Sequence, residues 1–183
     1  MVFWTIIGTA LAGTWTETAQ SDGCTFYTGP RSGNYSPVRV ICEWDVPAET
    51  LHGLIAILDA HDQYFSSVSV AERLPSGRYR QVHQASGISD REVILEMGSA
   101  LIEGGVRYWW HKADDQSELT GNNVETVVDT GKWEITANGG GSRVVYELLY
   151  DPGGSVPSFV VRWFQTSGTQ LLLHELLLQA QAQ

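Results

Sequence analysis

The last forty residues constrain the fold most. "VVYELLYDPGGSVPSFVVRWFQTSGTQLLLHELLLQAQAQ" (144–183) reads as a strand, a hard stop at Asp151-Pro-Gly-Gly, and an apolar helix. Pro157 suits the first helical turn, where a missing N–H costs nothing, and Gly168 is the expected break, since glycine weakens a helix by about 1 kcal/mol relative to alanine. A terminal helix normally buries one stripe. Here "FVVRWF" and "LLLHELLL" place apolar groups around most of the circumference. Such a helix needs more than one apolar partner. A curved sheet on one side is the first, and either solid core or a ligand can be the second.

The rest of the chain supplies that sheet. "CTFYTGPR" and "SPVRVICEWD" read as two strands around a turn at "SGNY". A helix begins at Pro47 and runs to about Ala60, with Leu51, Leu54, Ile55 and Leu58 at helical spacing. Strands follow at "YFSSVSVAERL", "GRYRQVHQA", "REVILEMGSALI" and "VRYWWHKA". After the polar loop "DDQSELTGNN" come "VETVVD", "GKWEITA" and "SRVVYELLY". A run of antiparallel strands followed by one long helix is an α+β layer arrangement.

Charge excludes several function classes. The formal net charge is −10, and the 11 basic residues are scattered, with no basic run. Nucleic-acid binding and adsorption to an anionic membrane through a polybasic patch are both disfavoured. His52, His61, His83, His111 and His174 are dispersed without cysteines at ligand spacing, so no metal site is expected. No Gly-x-Ser-x-Gly occurs, and "GGGS" lies in a hairpin turn rather than before a helix.

Two features stay open at this level. Residues 1–13 form an apolar segment too short to span a bilayer. It fits either a secretory signal with "ALA" before Gly13, which places the protein in the periplasm or outside the cell, or a first helix with Phe3, Ile7, Leu11 and Trp15 as its stripe, which leaves it cytoplasmic. Folding the first hairpin about Gly33 sets Cys24 opposite Cys42, as a cross-strand disulfide or as two buried thiols.

Four segments together resemble a known family. "VPAETLHGLIAILDA" (46–60), "SDREVIL" (89–95), "GKWEIT" (131–136) and "VVYELLYDPGGSVPSFVVRW" (144–163) occur in the order and spacing of START domains, the lipid-transfer domains related to the steroidogenic acute regulatory protein. The likeness extends from about Trp15 to Leu178, so residues 14–183 are expected to be one domain. It implies a helix-grip fold: a curved antiparallel sheet wrapped around the C-terminal helix, enclosing a hydrophobic cavity. It implies a monomer without cofactor that binds and transfers one sterol, phospholipid or similar lipid, gated by the terminal helix, with transient membrane contact. The wider superfamily also holds cyclases and aromatases acting on polyketide-like substrates, which is the rival reading.

Strand alternation and this resemblance together nominate a cavity lining. Arg91, Val93, Leu95 and Met97 share one strand face, taken as inward, with Tyr79, Gln81 and His83 on the strand before. Trp109 and Trp110 must face opposite ways, and Trp110 is assigned to the cavity. Phe159, Trp163 and Leu171 are the expected roof. Arg91 either orients a head group or holds the strand mouth by pairing with an acid such as Asp90. His83 either donates to a ligand hydroxyl or is satisfied by neighbours. Met97 stands where some START domains carry an arginine, which argues against a strongly polar head-group clamp.

Overall fold

The computed structural model describes residues 14–31, 35–157, 160–161, 163 and 166–183. The N-terminal segment 1–13 and Phe159 lie outside these residues. The chain forms β1 (Thr16–Ser21), β2 (Cys24–Thr28), β3 (Val38–Trp44), α1 (Ala48–Ile55), a 3₁₀ turn (Leu58–Ala60) and α2 (His61–Tyr64). There follow β4 (Val68–Arg73), β5 (Tyr79–His83), β6 (Arg91–Ile102), β7 (Gly105–Lys112), β8 (Val124–Glu125), β9 (Val128–Asn138), β10 (Gly141–Asp151) and α3 (Ser167–Gln181).

All ten strands join one sheet in the order β1-β2-β3-β10-β9-β7-β6-β5-β4, and β8 pairs with β6. The ladders along that order are antiparallel; the short β8–β6 contact is parallel. The register fixes which side chains share a face. Gln81 opposes Val93, Leu95 opposes Lys112, Met97 opposes Trp110, Tyr108 opposes Trp133, and Trp133 opposes Tyr146. That face carries the core, together with Leu51, Leu54 and Ile55 of α1 and Leu173, Leu176 and Ala180 of α3.

Helix α3 buries Thr169, Leu173, Leu176 and Ala180, a single stripe at 4-3-4 spacing. Its outer side leaves Leu171 38% and Leu178 51% exposed. The all-round apolar composition of α3 is therefore not all-round burial. The helix is held at both margins of the sheet: His174 Nδ1 lies 3.2 Å from Asp22 Oδ2 in the β1–β2 turn, and Ser66 N–H donates to Glu175 Oε2 at 3.1 Å just before β4.

Several expectations need revision. The helix expected to run from Pro47 to Ala60 ends at Ile55; Ile57 is extended (φ −99°, ψ 77°), and the chain re-enters a 3₁₀ turn and α2. This kink carries His61 into the interior. The break between "VETVVD" and "GKWEITA" falls earlier than expected: β8 covers only Val124–Glu125, and β9 begins at Val128 and runs unbroken through Gly131. Glycine is required there because a Cβ would meet Trp110 Cζ2 and the Glu147 carbonyl oxygen, each at 2.4 Å. β1 was not expected. Trp15 precedes it in non-helical backbone, with the Arg39 guanidinium 4.1 Å above its ring centroid.

Cys24 opposes Cys42 in the β2–β3 register, the pairing that folding about Gly33 implies. The two are joined by a disulfide, with Cα atoms 4.0 Å apart, and both are buried.

Candidate functional site

A cavity of about 110 Å³ lies between the concave sheet face, α2 and the start of α3. Its apolar wall includes Leu95, Trp110, Trp133, Tyr146, Leu148 and Trp163. The aromatic groups pack on one another: Trp133 and Tyr146 have ring centroids 4.2 Å apart, and Trp110 stacks on Tyr146 at 6.0 Å.

The polar lining gathers where β5, β9, β10 and α2 meet. Gln81, His83, Asp129, Tyr150 and His61 all face the cavity. His83 Nε2 is 3.1 Å from Gln81 Oε1, and His83 Nδ1 is 3.1 Å from the Tyr150 hydroxyl. Asp129 lies directly opposite Tyr150 in the β9–β10 register. Its Oδ1 accepts from Trp110 Nε1 at 2.7 Å, and its Oδ2 sits 3.9 Å from His83 Nδ1.

Burial controls the charge of these groups. It pushes His83 down to about 4, so the ring is neutral near pH 7 and the contact with Asp129 is not an ion pair. It pushes His61 down to about 4 as well, against a bond to the Ile55 carbonyl. It raises Asp129 to about 7, with the Trp110 bond pulling the other way. Tyr146 and Tyr150 are both raised by burial and by the neighbouring Asp129.

The nominated residues divide into groups. Gln81, His83, Leu95, Trp110 and Trp163 line the cavity. Val93 is wholly buried in the core, and Tyr79 and Met97 pack against that core without lining the cavity. Leu171 does not roof it: one residue is a 100° rotation on a helix, and Leu172 and Thr169 face the cavity while Leu171 faces solvent. Trp109 faces outward over Gly98, where a Cβ would meet its ring at 2.2 Å.

Arg91 shares the inward face but serves the backbone. Its guanidinium donates to the carbonyls of Pro152 (3.3 Å), Gly153 (3.4 Å) and Ser89. It thereby fixes the Asp-Pro-Gly-Gly turn to the start of β6. Gly153 and Gly154 both take φ +67° in that turn, a conformation that glycine adopts without steric cost.

Gly168 is not where the terminal helix breaks. Thr166 has non-helical dihedrals (φ −128°, ψ −92°), whereas Gly168 lies in the first turn of α3. A Cβ on Gly168 would meet Trp163 Cζ3 at 2.9 Å, so the glycine admits the indole.

His61, Asp129, Trp133, Tyr146 and Tyr150 were not nominated from sequence. Alternation carried the signal for four of them. Asp129 is in phase with Trp133 and Ile135, and Tyr150 with Tyr146 and Val144. A carboxylate in the buried phase of a strand marks a polar site.

Among the described residues there is no cluster of three or more metal-ligating side chains, and no helix is long and apolar enough to cross a membrane. No protein-family model matches the chain, and no curated protein sequence matches it. Solved structures do. A STAR-related lipid transfer protein fragment from Xanthomonas axonopodis superposes with a TM-score of 0.81 at 17% identity, covering 91% of this chain and 98% of that one. Human StAR-related lipid transfer protein 5 gives 0.80 at 13% identity, covering 95% and 89%. A START superfamily protein from Mycobacterium smegmatis gives 0.59 at 12% identity, covering 80% and 97%. With its antiparallel sheet packed against a C-terminal helix and a cavity between them, the chain has the α+β helix-grip fold of a START/Bet v 1-like domain.

Proposed function

We propose that the protein binds one hydrophobic ligand of the lipid class in the cavity between sheet and C-terminal helix, and releases it by movement of that helical wall. The observation that carries this is the cavity itself: an aromatic and aliphatic wall with a cluster of polar groups where β5, β9, β10 and α2 meet. That is the division of labour a buried amphiphile needs. The driving force is burial of ligand apolar surface, about 25 cal/mol per Å². Similarity to proteins named as lipid-transfer proteins supports the same reading.

The volume supports a gated mechanism. At about 110 Å³ the cavity is smaller than the roughly 300–1,000 Å³ of a typical ligand pocket. A wall must therefore move. The sheet wall is cross-linked by continuous ladders through β10, β9, β7, β6 and β5. The wall of Trp163, Gly168, Thr169 and Leu172 joins a helix whose preceding residue, Thr166, is already out of helical geometry. Opening on that side breaks side-chain packing and leaves the ladders intact. We expect a monomer that exchanges ligand during transient membrane contact.

A second reading follows from the polar end. His83, Tyr150 and Asp129 converge within 3.1–3.9 Å, close enough to polarise a carbonyl of a polyketide-like substrate and move a proton. This is the cyclase-type alternative.

Native mass spectrometry of the purified protein separates the cases, combined with transfer of fluorescent sterol and phospholipid between vesicles. A one-to-one lipid adduct with transfer supports the binding reading. No adduct and no uptake of either probe refutes it.

A further inference from the structure

Two residues of the cavity lining each carry a hydrogen-bonding atom without a partner among the described residues: Gln81 Nε2 and His61 Nε2. Both residues are more than nine-tenths buried, 5% and 7% exposed. Burying a polar group without a partner forfeits its bonds to water, so the pair points to something that meets it.

The network fixes what each group offers. Gln81 Oε1 can only accept, so His83 Nε2 carries the proton across their 3.1 Å contact. The neutral ring then accepts at Nδ1, and the Tyr150 hydroxyl donates to it at 3.1 Å. The chain Tyr150→His83→Gln81 runs in one direction and ends in a free amide N–H at the cavity. In His61 the ring N–H is directed to the Ile55 carbonyl, and Nε2 has no partner. The proton is therefore on Nδ1, and Nε2 presents a lone pair. One unmet donor and one unmet acceptor share the cavity.

Charge narrows the choice. Among the described lining residues there is no lysine or arginine. Arg91 is directed to backbone carbonyls, and Arg80 bonds Glu72 and Glu92. The one carboxylate in the lining, Asp129, would repel an anion.

Resting on the ligand-binding reading above, we propose that this end of the cavity is a subsite for a single uncharged hydroxyl group on the ligand. The hydroxyl oxygen accepts from Gln81 Nε2, and its proton is donated to His61 Nε2. A carbonyl would meet only the first group. A carboxylate or phosphate head would face Asp129 with no cation among the described lining residues.

The test is displacement of N-phenyl-1-naphthylamine, a neutral aromatic dye, from the full chain at pH 7.5. The competitors are dodecan-1-ol, dodecanoate and dodecylammonium, each below its micellar concentration. The alcohol is expected to displace dye at about tenfold lower concentration than either ion. Gln81→Leu and His61→Leu should each weaken the alcohol about three- to tenfold relative to the dye measured in the same variant, the worth of one hydrogen bond. Dodecanoate equal to the alcohol overturns the proposal. Tightest binding of dodecylammonium overturns it in favour of Asp129 as the anchor. Unchanged alcohol affinity in both variants overturns it in favour of ordered water. Failure of the wild type to bind dye, or any of the three amphiphiles directly by calorimetry, refutes the ligand-binding reading and the subsite with it. Loss of dye binding in one variant alone marks a folding defect, and the other variant then decides.

Discussion

Asp129→Asn should stabilise the protein at alkaline pH and do less in acid. Asp129 is 3% exposed and accepts one hydrogen bond, from Trp110 Nε1 at 2.7 Å. Its other oxygen faces a neutral imidazole 3.9 Å away. Burial lifts it to about 7 from an ordinary 3.8. A carboxyl raised on folding binds its proton more tightly in the folded state. The wild type therefore loses stability as pH rises from about 3.8 to about 7, and the loss is complete above that window. The loss amounts to about 4 kcal/mol at pH 8 and about 2 kcal/mol at pH 5, since each pH unit crossed between those two values costs about 1.4 kcal/mol. Asparagine keeps the acceptor for Trp110 and removes the charge. The advantage of the variant should thus grow from about 2 to about 4 kcal/mol between pH 5 and pH 8. His61 and His83, each held near 4, titrate in both proteins and cancel in the difference. Urea unfolding with linear extrapolation measures it. A pH-independent difference, or a variant less stable than wild type at pH 8, would mean that the carboxylate is ionised and compensated, and that burial does not hold its proton.

Three further outcomes are expected. Replacing both Cys24 and Cys42 by serine should cost about 3 kcal/mol, from the loop entropy of their 18-residue separation; unchanged urea unfolding under non-reducing conditions would show that the bond contributes nothing. Arg91→Met removes the donors to Pro152, Gly153 and Ser89 and should cost about 2–3 kcal/mol, with faster amide exchange across residues 151–157; slow exchange there would locate the anchor elsewhere. Gly168→Ala gains about 1 kcal/mol in helix propensity but drives a Cβ to 2.9 Å from Trp163. Thermal unfolding should move down and dye affinity should fall, whereas a rise in melting temperature would show that the indole yields freely.

Local pattern revealed the elements, and long-range pairing assembled the site. Alternation placed Tyr79, Gln81 and His83 on one face with Arg91, Val93, Leu95 and Met97, and the β5–β6 register pairs Tyr79 with Leu95, Gln81 with Val93 and His83 with Arg91. The symmetric placement of the cysteines about Gly33 pointed to the β2–β3 register. The pattern breaks the strand at Thr130, whereas β9 runs straight through it, and Gly131 makes room for the Trp110 indole. Asp129 and Tyr150 could not be attached to His83 from sequence. They reach it because β9 and β10 curve round to the strands at the other margin, a consequence of sheet order rather than of spacing. The role of Arg91 was equally hidden, since its partners are carbonyls of a turn some sixty residues away.

The two faces of the sheet treat buried charge in opposite ways. On the outer side Glu92 is 1% exposed yet satisfied, by Arg80 at 2.9 Å, by Thr120 through backbone and hydroxyl, and by Asn123. Burial alone would raise it, and these bonds outweigh that and hold it below its ordinary value. On the inner side Asp129 has one donor, and Gln81 and His61 each present an unmet group. Departures from local satisfaction concentrate where a protein acts. A bound hydroxyl supplies a donor and an acceptor together, so occupancy should raise the melting temperature with ligand concentration as linkage requires, and Gln81→Leu should flatten that dependence more for an alcohol than for a dye without a hydroxyl.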